Sequence, residues 1–156
     1  MSNKAASQIH QLAATKLAAV GQRYTANRKA VVSVLSTLPG PATIAELLSS
    51  QGSLAQSSTY RNLVVLEEVG VVQRIITSDD HARFELTEEI TGHHHHHLIC
   101  EACGKILDVT LTDKIEKALH SALSQAAEEN AFVGRHHRVD LIGTCATCHA
   151  ATPAGN

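Results

Sequence analysis

Residues 93–105, with the sequence HHHHHLICEACGK, join a run of five histidines to a C-x-x-C unit. A second C-x-x-C unit, with the sequence CATC, occupies residues 145–148. Four thiolates suit a tetrahedral Zn²⁺ ion in a closed structural site, whereas the alternative is two redox-active or merely buried cysteine pairs. Because two independent units coincide in one chain, we predict a structural zinc ion bound by Cys100, Cys103, Cys145 and Cys148.

The histidine run has the pattern of a β-strand that serves two metal sites. Side chains alternate between the two faces of a strand, so His95 and His97 share one face while His94 and His96 share the other. A purification tag or a low-complexity surface tract is the alternative, but the run lies mid-chain and continues directly into the first C-x-x-C unit. Because imidazole suits Zn, Fe, Ni and Cu, we predict one metal site on each face.

Each of these predicted sites needs further ligands from elsewhere in the chain. Glu85 lies at the end of a predicted strand shortly before the run and can reach the first face. For the second face, the candidates are Glu116 on a predicted helix and His137 on the last predicted strand. His120 is a rival because it shares a helix face with Glu116 at i,i+4. The ordinary alternatives are a solvated helix charge for Glu116 and an exposed strand histidine for His137.

Upstream of the histidine run, the hydrophobic periodicity predicts an alanine-rich helix, three further short helices and then a β-hairpin. The predicted helices span 5–19, 25–38, 43–50 and 57–69, the strands span 71–77 and 82–86, and polar turns span 51–53 and 78–80. Thr25 is the predicted N-cap of the second helix, and Thr43 with Glu46 forms a predicted capping box at the third. Three short helices and a hairpin are the order of a winged helix-turn-helix, whose last helix enters the major groove.

The positive charge of residues 1–66 and the side chains at the start of the fourth helix favour DNA binding. Residues 1–66 carry six Lys or Arg side chains against one acid, although the whole chain has a net charge of −2. Arg61 can pair with guanine or bind phosphate, and Tyr60 can pack on a thymine methyl group. An ordinary capped surface helix is the alternative. The predicted DNA contacts are Ser57, Ser58, Thr59, Tyr60, Arg61 and Asn62 on the helix, with Arg23 and Arg28 on phosphates.

Downstream of the first C-x-x-C unit, the pattern alternates between strands and one long helix. We predict strands at 94–99, 106–109 and 137–142, a helix at 113–129, and a frayed tail at 150–156. Residues 87–93 are polar, contain a glycine and show no apolar period, so we predict a hinge there. These features divide the chain into a winged-helix DNA-binding domain at 1–86, the hinge at 87–93, and a dimerisation and metal-binding domain at 94–156.

The sequence also argues against several classes of protein. No apolar run of about 18 residues is present, and polar residues interrupt every apolar run near the N-terminus, so we expect a cytoplasmic protein with no membrane partner. The sequence contains no P-loop, G-x-S-x-G, H-E-x-x-H or nucleotide-binding glycine motif. We therefore predict neither an enzymatic activity nor a small organic substrate.

Four stretches of the sequence resemble the ferric uptake regulator (Fur) family of bacterial metal-dependent repressors. They are STYRNL at 58–63, RFELT at 83–87, the histidine-cysteine stretch at 93–105, and IGTCATC at 142–148. The resemblance implies an α+β fold, with an N-terminal winged helix-turn-helix domain and a C-terminal α/β dimerisation domain around a four-cysteine zinc site. It also implies a homodimer that binds a palindromic double-stranded DNA operator.

The resemblance also implies roles for individual residues, carried over position by position. Glu85, His95 and His97 match ligands of a regulatory site at the hinge. A second site, in the dimerisation domain, is matched by His94, His96, Glu116 and His137, and this match favours Glu116 and His137 over His120. The family often supplies a further sensing histidine from the loop before the third helix, where this sequence has Ala42. His81, in the predicted wing turn, is our candidate for that missing ligand.

The implied function is that of a metal-responsive repressor of metal homeostasis genes, in which metal at the hinge locks the dimer for operator binding. Beside the structural Zn²⁺, the resemblance implies a regulatory divalent metal, with Zn²⁺ or Fe²⁺ favoured and Mn²⁺ or Ni²⁺ as further options. Peroxide-sensing relatives carry an aspartate where this chain has Glu85, so peroxide sensing is a less favoured alternative. A histidine-rich metal-buffering protein that never binds DNA is the alternative from a different class.

Overall fold

The computed structural model describes residues 3–50, 55–77 and 81–151. The predicted turns at 51–53 and 78–80 lie outside the described residues, as does the predicted tail beyond residue 151. The chain folds as two compact units, Met1–His93 and His94–Asn156. In the described part of the chain, no helix is both long enough and apolar enough to cross a membrane.

The first unit packs helices against a small antiparallel sheet with the strand order β1-β3-β2. Its elements are α1 (Asn3–Ala19), α2 (Ala26–Leu35), β1 (Ala42–Thr43), α3 (Ile44–Ser50), α4 (Gln56–Glu68), β2 (Val72–Ile76), β3 (Ala82–Leu86) and α5 (Glu88–Thr91). Fully buried side chains from three of the helices, Leu17, Val31 and Leu63, belong to one core with Phe84 of the sheet. The sequence of helices followed by the β2–β3 hairpin is the predicted winged-helix order.

Local hydrogen bonds explain where two of the helices begin. Thr25 caps α2, because its hydroxyl oxygen accepts a hydrogen bond from the backbone N–H of Arg28 at 3.4 Å. At α3, the backbone N–H of Thr43 donates to Oε2 of Glu46 at 2.7 Å, and the N–H of Glu46 donates to Oγ1 of Thr43 at 3.2 Å. Both predicted caps are thereby confirmed.

Two features between α2 and α3 differ from the prediction. The second helix ends at Leu35 rather than residue 38, because the hydroxyls of Ser36 and Thr37 donate to the carbonyls three residues earlier, at 2.8 Å each. Such bonds let short polar side chains compete with continued helix. Ala42 belongs to the unpredicted strand β1, where it pairs with Phe84.

The predicted hinge at 87–93 contains the one-turn helix α5. Ile90 is the apolar anchor of this helix, with 2% of its surface exposed, and Lys16 of α1 forms an ion pair with Glu89. Gly92 ends the turn with φ of 71°, a conformation that glycine adopts without steric cost. A single buried side chain is enough to dock one helical turn, and it leaves no periodic signal in the sequence.

The second unit is built on a three-stranded mixed sheet with the order β5-β4-β6. Its elements are β4 (His96–Cys100), β5 (Ile106–Val109), α6 (Asp113–Glu129), β6 (Asp140–Gly143) and α7 (Ala146–Ala151). Strand β4 pairs antiparallel with β5 and parallel with β6, so that His97 lies opposite both Asp108 and Asp140. The helix matches its predicted bounds, whereas β4 and β6 begin later than predicted.

Much of the apolar surface of the second unit is exposed. The long helix α6 has no buried residue, although its sequence is amphipathic. Neighbouring residues of β6, Leu141 and Ile142, are 64% and 65% exposed although their side chains point to opposite faces of the sheet. Further exposed apolar side chains in this unit are Leu107, Ile115, Leu123, Phe132 and Val133. This unit therefore buries little apolar surface within one chain.

Candidate metal centres and DNA-binding surface

The four cysteines lie together at one end of the sheet in the second unit. Cys100 ends β4, Cys103 lies in the turn after it, and Cys145 and Cys148 flank the start of α7. The parallel pairing of β4 with β6 places Cys100 opposite Gly143, which brings the two C-x-x-C units together. The four sulfur atoms lie within 4.8 Å of one another, and Sγ of Cys103 is 3.9 Å from Sγ of Cys145. Four sulfurs in this arrangement could form a zinc site.

The hydrogen bonds of this cluster favour thiolate at two of its cysteines. The backbone N–H of Cys145 donates to Sγ of Cys100 at 3.2 Å, and this bond outweighs burial and lowers the pKa of Cys100 to about 6. The backbone N–H of Cys148 is the main reason why the pKa of Cys145 is lowered. Hydrogen bonds to Cys103 and Cys145 raise the pKa of Cys148 to about 12, so a metal ion would displace its proton. The donor set and the stabilised thiolates both fit Zn²⁺.

A second cluster joins the even-numbered histidines of the run to α6. The ligand atoms of His94, His96, Glu116 and His137 lie within 4.8 Å of one another. Nε2 of His96 is 2.7 Å from Oε1 of Glu116, and the Nε2 atoms of His94 and His137 are 3.4 and 3.7 Å from Oε2. The structure therefore brings together the four residues that the sequence placed on the second face. His120 lies outside this cluster, with its ring centroid 6.5 Å from that of His137.

The electrostatics of this second cluster suit a divalent cation. Burial opposes ionisation of Glu116, but the hydrogen bond from His96 and the neighbouring histidine charges together lower its pKa. Nδ1 of His96 and Nε2 of His137 are buried and have no hydrogen-bond partner among the described residues. Buried ring nitrogens are costly when no partner satisfies them. An ionised carboxylate surrounded by three imidazoles is a donor set that zinc and other first-row metals accept.

The odd-numbered histidines, His95 just before β4 and His97 on it, form a separate group. His95 and His97 offer ligand atoms within 4.8 Å of one another and of a carboxylate oxygen of Asp108. Asp108 lies on β5 directly opposite His97, and its Oδ1 is 4.0 Å from Nε2 of His97. Sequence reasoning missed Asp108. The signal was the short connection at 100–105 between the two predicted strands, since a tight turn there places Asp108 opposite the histidine run.

The two remaining predicted ligands of the hinge site belong to the first unit. Glu85 lies on β3 with only 7% of its surface exposed, and its Oε1 accepts a hydrogen bond from Nε2 of Gln73. His81 immediately precedes β3, is exposed, and uses its carbonyl oxygen to accept a hydrogen bond from Thr77. Metal binding by Glu85 and by His81 stays a prediction.

The predicted recognition helix presents part of the predicted DNA-contacting set to solvent. Ser57, Tyr60 and Arg61 are exposed and, together with Gln56 and Ile44, line an open groove. Thr59 is fully buried and its hydroxyl donates to the carbonyl of Ala55 at 3.0 Å. The prediction that Thr59 contacts DNA was therefore wrong, because its position on the helix faces the core. Ser58 and Asn62 are half-buried.

The two predicted phosphate contacts outside α4 differ in how their side chains are used. Arg23 is exposed. Arg28 is half-buried, and its guanidinium donates to the carbonyl of Arg23 and, at 3.0 Å, to Oε1 of Gln22. Arg28 therefore stabilises the loop before α2 through these hydrogen bonds. Its contact with DNA stays a prediction.

A winged-helix unit followed by an α/β unit that carries clusters of metal-ligating residues defines a metal-dependent DNA-binding protein as the class. A model of the Ferric uptake regulator family matches residues 19–142. The chain is 32% identical over 147 residues to the peroxide-responsive repressor PerR of Staphylococcus saprophyticus, covering 89% of this chain and 92% of that protein. The chain belongs to the ferric uptake regulator family of metal-responsive transcriptional regulators.

Solved structures of the same fold agree with this assignment. The ferric uptake regulator of Helicobacter pylori aligns with a TM-score of 0.69 at 23% identity, covering 92% of this chain and 93% of that chain. The ferric uptake regulator of Vibrio cholerae aligns with a TM-score of 0.63 at 26% identity, covering 84% and 98%. The predicted fold class is thereby confirmed.

Proposed function

We propose that this protein is a homodimeric repressor that binds a palindromic DNA operator when a divalent metal occupies a regulatory site. The regulatory site consists of His95, His97 and Asp108 of the second unit with Glu85 of the first. The separate groups of ligand atoms on the two faces of β4 are the observation that carries the proposal. Asp108 takes the place of His81 in this ligand set, because it lies beside His95 and His97 in the folded second unit.

The residues of the regulatory site regulate DNA binding by linking the two units. A bound divalent cation would supply the positive charge that lets two imidazoles and two carboxylates share one small space. Because Glu85 belongs to the winged-helix unit, recruiting it to the ligands on β4 and β5 restricts the orientations that this unit can sample. The site must bind metal better in the DNA-binding arrangement than in the others, because a ligand without that preference shifts no population.

The exposed apolar surface of the second unit supports the homodimer. Leu141 and Ile142 of β6 and Ile115 of α6 are each at least half exposed in one chain. Large exposed apolar patches on soluble proteins mark interaction sites, and obligate homodimer interfaces resemble a domain core divided in two. A two-fold dimer through this unit also presents two recognition helices, as a palindromic operator requires.

Metal analysis combined with DNA binding tests the proposal. Metal content per protomer is measured before and after mild chelation, and gel shifts on genomic fragments follow under added Zn²⁺, Fe²⁺, Mn²⁺ or Ni²⁺. We expect about one zinc ion to resist chelation, and DNA binding to return with one of the added metals. Asp108→Ala abolishes this return, whereas Asp113→Ala, at an exposed acid on α6, leaves it intact. Loss of all metal together, with no fragment shifted by any ion, would instead support a histidine-rich metal buffer.

Peroxide sensing within the same family is the second candidate function. The 32% identity to a peroxide-responsive repressor favours it, whereas Glu85 stands where peroxide-sensing relatives of the family carry aspartate. Brief exposure of the Fe²⁺-loaded protein to hydrogen peroxide separates the two functions. Under our proposal, DNA binding survives this treatment at peroxide concentrations that leave the Zn²⁺-loaded protein unaffected, and Glu85→Asp increases the sensitivity of the Fe²⁺ form.

A further inference from the structure

The ring of His97 is held by a carboxylate that belongs to none of the three ligand clusters. Nδ1 of His97 is 3.1 Å from Oδ1 of Asp140, the residue opposite it on β6. The His97 side chain is 1% exposed and that of Asp140 is 18% exposed, so little water competes for the contact. The parallel register of β4 and β6 sets this pair, because strand partners at the same level present side chains on the same face.

This contact determines which nitrogen of His97 carries the proton. An ionised carboxylate only accepts hydrogen bonds, so Nδ1 is the donor and holds the hydrogen. In the neutral ring, the lone pair then resides on Nε2, which faces Oδ1 of Asp108 at 4.0 Å. The ring is therefore held in the form that can offer Nε2 to a metal ion.

Asp140 is itself fixed from the side opposite His97. Nη2 of Arg138 is 2.8 Å from Oδ2 of Asp140, while Oδ1 is the atom that accepts from His97. Both carboxylate oxygens are thus engaged, and the cluster of ligand atoms around His97 includes Asp108 and excludes Asp140. The carboxylate of Asp108 is therefore available to a metal ion, whereas that of Asp140 orients His97.

We propose that Asp140, anchored by Arg138, is a positioning residue that sets the tautomer and orientation of His97 for the regulatory metal. The inference rests on the proposed function of the site formed by Glu85, His95, His97 and Asp108. Metal-ligating histidines commonly donate their second N–H to a carboxylate, and loss of that partner typically costs about 10- to 100-fold in metal affinity. A purely structural role, in which the ion pair only ties β6 to its surroundings, makes different predictions.

The test combines a metal titration with nitrogen NMR of the histidine rings. Mn²⁺ and Zn²⁺ affinities are measured against a competing chelator in a His94→Ala/Glu116→Ala/His137→Ala background, which leaves the other histidine cluster with His96 as its one ligand. We expect Asp140→Ala to weaken the regulatory site by about 10- to 100-fold. We also expect the ¹⁵N signals of His97 in the metal-free protein to change from the Nδ1–H form to a mixture of tautomers. Asp113→Ala, at an exposed acid on α6, is the matched control and changes neither measurement.

A milder substitution covers the case in which Asp140→Ala disrupts the sheet. Arg138→Gln removes the anchor while leaving the carboxylate, and the Arg138 side chain is 45% exposed, so the fold should tolerate it. We expect a smaller loss of affinity, with the four-cysteine zinc retained. Wild-type affinity and an unchanged His97 tautomer in both variants would overturn the inference.

One further variant separates failure of this inference from failure of the proposed function. His95→Ala removes a proposed ligand rather than a positioning residue. If His95→Ala loses the regulatory metal while both other variants bind it normally, only the role of Asp140 is wrong. If wild-type protein and His95→Ala bind metal identically, the regulatory site itself is wrong and the inference fails with it.

Discussion

The two units of the chain bury different kinds of side chain. The first unit encloses an apolar core that includes Leu17, Leu63 and Leu66, each with 0% exposure. Among the described residues of the second unit, the buried apolar side chains are Ile99 and Cys100, and the other buried side chains are His96 and His97. The interior of the second unit thus consists largely of the residues that we assign to metal ions.

This difference implies that the two units depend on different sources of stability. Burial of apolar surface is the dominant favourable contribution to folding, and the first unit has an extensive apolar core. A small unit that buries little apolar surface usually needs metals, disulfides or a partner chain. We therefore expect the second unit to couple its folding to zinc and to dimer formation, while the first unit folds independently of both.

Loss of the zinc ion that we predict at the four-cysteine cluster should have the largest effect and should act on the second unit alone. Cys103 is exposed, so Cys103→Ser deletes a ligand without creating a cavity. Structural zinc contributes about 10–16 kcal/mol to folding in zinc-finger peptides near pH 7, so we expect this unit to unfold. Zinc content and a thermal melt followed by circular dichroism check this, with the transition of the first unit retained. Ser121→Ala on α6 is the control, and a variant that keeps zinc and both transitions would refute the coupling.

A cavity in the first unit should destabilise that unit and leave the second unit unaffected. Leu63 on α4 is fully buried, and Leu→Ala at such sites costs about 2–5 kcal/mol. We expect Leu63→Ala to lower the free energy of unfolding of the first unit by that amount while zinc content stays unchanged. Val20→Ala, at a residue 59% exposed, should change stability by less than about 0.5 kcal/mol. Coupled loss of zinc in Leu63→Ala would show that the units do not fold independently.

A charge at an exposed apolar residue of β6 should weaken the proposed homodimer. Leu141 is 64% exposed in one chain, and a buried anchor residue of an interface contributes about 2 kcal/mol or more. Two-fold symmetry places the substitution twice in one interface, so we expect Leu141→Asp to weaken the dimer by about 1,000-fold. Sedimentation velocity across a concentration series measures this. Ile76→Asp, at an exposed apolar residue of the first unit, should leave the dimer intact.

The predicted recognition helix α4 allows a test that touches neither the core nor the candidate metal ligands. Arg61 is exposed on α4 and its Nε donates to the carbonyl of Ser57 at 3.2 Å. Loss of an arginine contact to a base or a phosphate costs about 1–3 kcal/mol, so we expect Arg61→Ala to weaken operator binding by about 10- to 100-fold. Fluorescence anisotropy at several salt concentrations checks this, with Arg135→Ala in the second unit as control. Loss of zinc or of the dimer in Arg61→Ala would show that the residue is misplaced.

The sequence predicted best those features that depend on neighbouring residues or on strand alternation. The caps at Thr25 and Thr43 are local hydrogen-bonding patterns, and the structure forms both. Alternation along residues 94–97, which lead into and begin β4, separates His94 and His96 from His95 and His97, and their ligand atoms lie in different clusters. A period of two is a property of the strand itself, so the sequence alone was enough to predict the two groups of histidines.

The features that were missed depend on which segments pack together. Asp108 faces His97 because of the β4–β5 register, and Asp140 faces it because of a parallel pairing with a distant strand. The burial of Thr59 depends on how α4 lies on the core, and a short polar residue at a helix start gives no sign of that. Segment α5 is held by one apolar residue, Ile90, which is too few for a periodic pattern.

The ion pair between α1 and α5 should give the smallest effect, since it lies at the surface of the unit that depends on apolar burial. Lys16 pairs with Glu89, and the two side chains are 30% and 67% exposed. Solvent-exposed pairs contribute about 0–1 kcal/mol, so Glu89→Gln should lower the free energy of unfolding by less than about 1 kcal/mol, and by less still at high salt. Urea titrations at two salt concentrations measure the change, with Glu68→Gln at the exposed end of α4 as control. A loss above about 2 kcal/mol would mean that electrostatics rather than Ile90 anchors α5. The first unit would then depend on ion pairs as well as on apolar burial.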